Sequence, residues 1–120
     1  MRALALTCCF LTLQAAGASA QSAHSDIEPL AHEYLECAAY FSLAANVMEK
    51  KGEQDLKREY ERLSHELVKR GEVLVTAQRK PIQVAAGMFD AYLRSTVAAL
   101  NKDAESTINN FERQCHGPLE

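Results

Sequence analysis

The sequence predicts an all-α protein, a small antiparallel four-helix bundle closed by one intrachain disulfide. Apolar residues recur at helical spacing along most of the chain, and no stretch alternates as a strand does. Turn-forming residues interrupt this pattern near Gly52, near Pro81 and over residues 101–103. Cys37 and Cys115 lie far apart in the chain and can supply the covalent link.

The first twenty residues have the three parts of a secretory signal peptide. A positive start at Arg2 precedes an apolar stretch over residues 3–13, and Ala18-Ser19-Ala20 forms an A-x-A cleavage site. The apolar stretch is shorter than the about 20 residues that cross a bilayer. We expect cleavage after Ala20, with Ala18 as the alternative. The mature domain then covers residues 21–120, with a loose tail from residue 117.

Export would also determine the redox state and the charge of the mature chain. Cys8 and Cys9 leave with the signal segment, so the two remaining cysteines face an oxidising periplasm or exterior, where a disulfide is favoured. Without Arg2 the chain has 12 basic and 16 acidic side chains and a net charge of −4. This balance, with no basic cluster, argues against nucleic acid partners. No later stretch predicts membrane insertion.

The first helix is predicted to start at a capping box, Ser25-Asp26-Ile27-Glu28, with Pro29 in its first turn. Its apolar stripe comprises Ile27, Leu30, Tyr34, Cys37, Phe41, Ala44 and Met48. The stripe is widened by Ala31, Leu35, Ala38 and Ala45. Two lysines and then Gly52 favour the end of the helix there.

The second helix is predicted from about Glu53 to about Gln78, where Arg79-Lys80-Pro81 ends it. Its expected buried side comprises Leu56, Tyr60, Leu63, Leu67 and Leu74. Gly71 lies inside this helix, where glycine costs about 1 kcal/mol relative to alanine. We therefore expect either a kink or a close contact between helices at Gly71.

The last segment keeps helical spacing from Ile82 to Cys115, so periodicity alone predicts one long helix. At about 1.5 Å per residue, Cys37 lies roughly 16 Å along the bundle, whereas an unbroken final helix carries Cys115 to about 50 Å. A disulfide needs a Cα separation of about 4.4–6.8 Å. A turn at residues 101–103 brings Cys115 back to roughly 10 Å, which favours four helices. The alternative is a three-helix bundle with one long C-terminal helix, whose thiols are free or bridged between molecules.

Glu28, His32 and Glu36 are candidates for a metal site. They follow one another at intervals of four residues, which places two carboxylates and an imidazole on one ridge of the first helix. A single helix gives an incomplete site, and a solvated face explains the same pattern. We predict no metal site.

Haem ligation is the second candidate chemistry. Cys115-His116 resembles the end of a covalent haem motif, but Glu112 stands where the first cysteine is required. Non-covalent haem needs two axial ligands, which Met48, Met88, His65 and His116 could supply. Met48 lies on a core stripe, where methionine is usually packing. We predict no cofactor and keep a haem- or metal-binding bundle as the rival hypothesis.

The remaining hypothesis is an exported, non-enzymatic protein that binds a protein or peptide, such as an accessory, inhibitor, immunity or chaperone-like factor. Tyr40 and Tyr92 are candidate contacts because tyrosine beside charged residues is frequent at interfaces. The same rings could merely cover the edge of the core. Catalysis has no support from a nucleophile motif such as Gly-x-Ser-x-Gly.

Overall fold

A computed structural model describes residues 26–116 as four consecutive helices. They are α1 (Pro29–Lys51), α2 (Gln54–Ala77), α3 (Gln83–Lys102) and α4 (Ala104–His116). Residues 26–116 contain no strand. The predicted four-helix, all-α bundle is confirmed, and the three-helix alternative is wrong. The predicted signal peptide and the tail from residue 117 lie outside the described residues.

Helix α1 is the centre of the bundle. It contacts each of the other three helices, and its interface with α2 is the most extensive. Its buried residues are Ala31, Leu35, Cys37, Ala38, Ala39, Tyr40, Phe41 and Ala45. The alanines among them let neighbouring helices approach closely. Because α1 has three neighbours, the buried face is broader than the predicted stripe, and Leu30, expected inside it, is 37% exposed.

The N-terminus of α1 differs from the prediction. The helix begins at Pro29, and Glu28 occupies the N-cap position without a side-chain capping bond. Ser25, the expected cap, lies outside the described residues. Gln78 at the end of α2 supplies the missing partner, because its Oε1 accepts the Glu28 N–H at 2.7 Å. Its Nε2 donates to the Asp26 carbonyl at 2.9 Å. A side chain 50 residues away therefore does what the capping box was expected to do.

The three turns between the helices lie at the positions predicted from the sequence. Gly52 adopts a left-handed conformation with φ 77°, and the N–H groups of Gly52 and Glu53 donate to carbonyls of the last turn of α1. Asp103 breaks the last segment with an extended backbone. Its Oδ1 accepts the Ser106 N–H at 3.1 Å, which caps α4. Thr107 Oγ1 donates to the Ala99 carbonyl at 3.1 Å. Backbone groups at the end of α3 and at the start of α4 therefore both have hydrogen-bond partners.

Gly71 lies where α2 packs closely against α1. Helix α2 continues through this position, and a Cβ atom placed on Gly71 would lie 2.7 Å from both Cγ and Cδ2 of Leu35. The close contact expected at Gly71 is confirmed. The buried stripe of α2 is Ser64, Leu67, Gly71 and Val75. Leu56, expected to be buried, is exposed, because the stripe follows the glycine and the serine instead of the largest apolar side chains.

Two groups of buried side chains form the core, and Phe89 packs against both. The first comprises Ile27, Ala31, Leu35, Val75, Ala85 and Met88. The second comprises Cys37, Ala38, Tyr40, Phe41, Leu67 and Cys115. Cys37 and Cys115 form a disulfide with a Cα separation of 5.5 Å, which joins α4 to α1 and confirms the predicted bridge.

Candidate functional site

Two adjoining clefts on α1 together form a concavity bounded by three helices. One, of about 490 Å³, is lined by Ser42, Ala45, Asn46, Glu49, Lys57, Glu61, Ser64, His65, Val68 and Phe89. The other, of about 440 Å³, is lined by Ser42, Leu43, Asn46, Leu93, Arg94 and Val97. Ser42 and Asn46 belong to both clefts. We call this joint surface the central groove; α1 is its floor, and α2 and α3 are its walls.

The α2 wall of the central groove and the adjoining end of the α1 floor are charged. Lys57 Nζ lies 3.1 Å from Glu49 Oε1 and 3.7 Å from Glu61 Oε1. Hydrogen bonding and attraction from Glu49, with a smaller contribution from Glu61, raise the pKa of Lys57 above its ordinary value. The side chains of Glu49 and Glu61 are 56% and 55% exposed, against 25% for Lys57. Two accessible carboxylates thus share one ammonium group.

The α3 wall is largely apolar. Leu93 and Val97 stand one helical turn apart on α3, and Leu43 of α1 adjoins them. Val97 is 41% exposed, which is high for a valine in a concave position. Arg94 lies at the edge of this wall, and its Nη2 is 3.4 Å from Asp90 Oδ2. The central groove therefore opposes a charged wall to an apolar one.

Ser64 fixes the position of the charged wall. Its Oγ donates to the Ala38 carbonyl at 2.8 Å in the interface between α1 and α2. A buried hydroxyl is tolerated there because it has this partner. His65, the next residue along α2, lies on the groove side and is exposed. This hydrogen bond thus ties the charged wall to α1.

The candidate metal ridge links helices. His32 Nδ1 lies 2.6 Å from Tyr92 Oη, a hydrogen bond between α1 and α3. Glu36 Oε1 accepts a hydrogen bond from Gln114 Nε2 of α4. Glu28 stands at the N-cap of α1. Among residues 26–116, no three histidine, cysteine or acidic side chains are grouped as metal ligands would be.

The four candidate haem ligands lie in different surroundings. Met88 is buried in the first core group. Met48 is half-buried near the end of α1. His65 lines the central groove, and His116 lies on α4 beside Asn109, Glu112 and Arg113. His65 and His116 thus line separate clefts.

The two candidate interface tyrosines have structural contacts. Tyr40 is buried and stacks on Phe111 of α4 with ring centroids 4.9 Å apart, so its ring is part of the core. Burial first, and then the charge of Glu112 and the neighbouring Tyr60, raise the pKa of Tyr40. Burial and the charge of Glu36 also raise the pKa of Tyr92. Tyr92 is half-buried and holds His32.

Sequence reasoning missed the central groove. The available signal was Ser42 and Asn46, two small polar residues four apart on a helix whose other faces are rich in alanine. Such a polar strip on a central helix marks a sector that no neighbouring helix covers.

Comparison with protein-family models, with curated proteins and with solved structures finds no match for this chain. Within residues 26–116, no helix combines the length and the apolar character that crossing a bilayer requires.

Proposed function

We propose that this chain is an exported, non-enzymatic helical protein that binds a segment of a protein or peptide in the central groove. By that binding it acts as an accessory, inhibitor, immunity or chaperone-like factor. The observation that carries the proposal is the groove itself, open between α2 and α3 with an apolar wall facing a charged one. Specific interfaces combine an apolar centre with a polar rim in this way.

The apolar wall supplies the driving force for binding. Val97, Leu93 and Leu43 present contiguous aliphatic surface, and covering such surface releases water at a gain of about 25 cal/mol per Å². Glu61 on the opposite wall and Glu49 on the α1 floor favour one orientation of the partner, because charged groups at an interface contribute more to selectivity than to affinity.

Export is supported by the signal-like residues 1–20 and by the disulfide, which is rare in reducing compartments. The test is an intact mass spectrum of the protein from its natural host, before and after reduction. We expect a chain that starts at Gln21 and gains about 2 Da on reduction, the mass of the two hydrogens that a cleaved disulfide takes up. A chain that retains residues 1–20, or whose mass is unchanged by reduction, contradicts the proposal.

Binding is tested by placing a photo-crosslinking amino acid at Val97 in cells of the natural host. The matched control position is Val73, a valine of α2 that is 65% exposed and does not line the groove. We expect a discrete crosslinked partner from Val97 and none of the same mass from Val73. No crosslink from Val97, or the same product from both positions, contradicts the proposal.

The partner identified in this way then allows a quantitative test. Val97→Glu places a charge on the apolar wall, and we expect it to weaken binding at least tenfold. Val73→Glu is the same substitution at a more exposed site and should leave affinity unchanged. Circular dichroism of both variants establishes that each remains folded. Equal affinities of the two variants contradict the assignment of the groove.

A further inference from the structure

We infer that the segment bound in the central groove is an amphipathic α-helix of a partner protein, carrying a lysine or arginine that meets Glu49 and Glu61. This inference rests on the proposed function and specifies the chemistry of its ligand. Three properties of the groove lead to it: the kind of backbone its walls accept, its length, and the balance of its charges.

The walls favour a helical occupant over an extended one. An extended peptide needs partners for its backbone N–H and C=O groups, which a sheet edge supplies. The groove is made by α1, α2 and α3, and residues 26–116 contain no strand. The backbone groups of these helices are already paired within the helices. In a helical ligand the backbone N–H and C=O groups are hydrogen-bonded to one another, so the ligand presents only side chains to such walls.

The dimensions suit a short helix. On the α1 floor the groove runs from Ser42 to Glu49, and on the α2 wall from Lys57 to Val68. At about 1.5 Å per residue these spans are roughly 10 Å and 16 Å. A helix of about 11 residues, or three turns, covers the longer span. It would occupy the open sector of α1 between α2 and α3, while α4 also packs on α1.

The charges determine which side of that helix faces which wall. Glu49 of the α1 floor and Glu61 of the α2 wall share the single ammonium group of Lys57, so this side of the groove carries one surplus negative charge. On the α3 wall, Arg94 is balanced by Asp90 of the same helix. A cationic side chain on one flank of the occupant neutralises the surplus, while its apolar stripe covers Leu93 and Val97. An acidic flank would instead add to the repulsion.

The test is a display selection with a random peptide library, using the full chain with its disulfide intact. Counter-selection against a Leu93→Glu/Val97→Glu variant removes peptides that bind elsewhere. We expect the surviving peptides to share an apolar stripe at helical spacing and a lysine or arginine on one flank. A synthetic selected peptide should gain helical circular dichroism on binding.

Variants of the carboxylates test the charge. Glu49→Gln/Glu61→Gln should weaken the selected peptide about fivefold to tenfold, which is the scale of one or two partly exposed ion pairs. Glu59→Gln is the matched control, since Glu59 pairs with Arg62 and does not line the groove. Replacing the peptide's cationic residue by glutamine should remove the sensitivity to the double variant.

The outcomes separate this inference from the proposed function. Groove-dependent peptides that bind in an extended form contradict a helical ligand, and peptides with acidic residues on the flank contradict a cationic one. In both cases a crosslink at Val97 still supports binding in the groove. A selection that yields no groove-dependent peptide also overturns the inference. The proposed function itself is contradicted by the separate mass-spectrometric and Val97 crosslinking outcomes given above.

Discussion

Replacing the two helical glycines by alanine should raise stability at Gly87 but not at Gly71. Both lie inside helices, where alanine is favoured over glycine by about 1 kcal/mol. A Cβ atom on Gly87 would meet no atom within 4 Å. Gly87→Ala should therefore stabilise the protein by up to about 1 kcal/mol, and it serves as the control for Gly71→Ala.

At Gly71 the same methyl group meets Leu35, whose Cγ and Cδ2 lie 2.7 Å from the added Cβ. Carbon atoms pack at about 3.5–4.0 Å, so the pair must separate by roughly 1 Å. Leu35 is fully buried and has no open space to enter. Such overpacking costs about 1–3 kcal/mol, which outweighs or cancels the helix gain. We predict that Gly71→Ala loses up to about 2 kcal/mol and that the two variants differ by about 1–3 kcal/mol.

The unfolding free energies of the variants are measured by urea unfolding followed by circular dichroism, and they are compared where the dependence on urea concentration (the m-value) is the same. Thermal melting is a second measurement. For a domain of this size the difference corresponds to at least about 4 °C in Tm. In a Leu35→Ala background the obstacle is gone, so Gly71→Ala should become stabilising even though that background is itself about 2–5 kcal/mol weaker. Equal stabilisation by the two alanines in the wild-type background would refute the close approach of α1 and α2.

Three further outcomes follow from the structure. Cys37→Ser/Cys115→Ser opens a loop with a sequence separation of 78 and should lower the unfolding free energy by about 4–5 kcal/mol. The variant should show a large fall in Tm, and adding reductant to the wild type should produce the same fall. Ser64→Ala removes the hydrogen bond to α1 and should cost about 0.5–1.5 kcal/mol in urea unfolding. The raised pKa of Tyr40 favours its neutral form in the folded state, so its contribution is complete below pH about 10 and is lost as pH rises through the raised pKa. Melting between pH 9 and 12 should fall less steeply in Tyr40→Phe.

Local patterns and simple geometry predicted the helices, their turns and the bridge. The break at Asp103 followed from the reach of a disulfide, although apolar spacing ran straight through it. The helix end at Gly52 and the close contact at Gly71 could be predicted because glycine has few roles inside or at the end of a helix.

Features that depend on distant parts of the chain could not be predicted. Gln78 caps α1 from the end of α2, and nothing near Ser25 indicates this. The stacking of Tyr40 on Phe111 of α4 depends on how the last helix docks. The central groove forms where α2 and α3 diverge around α1. The spacing of apolar residues along a single helix does not predict where two other helices diverge.

The position of the bridge has a consequence for the order of folding. The extensive α1–α2 interface joins neighbours in sequence, and such local hairpins form early. The partner sulfur arrives only with α4, after three turns have been made. Residues 26–116 hold two cysteines, so an oxidant acting on the half-folded segment can produce no shuffled isomer within it. Errors take the form of links between separate molecules, and their yield should rise with protein concentration during refolding.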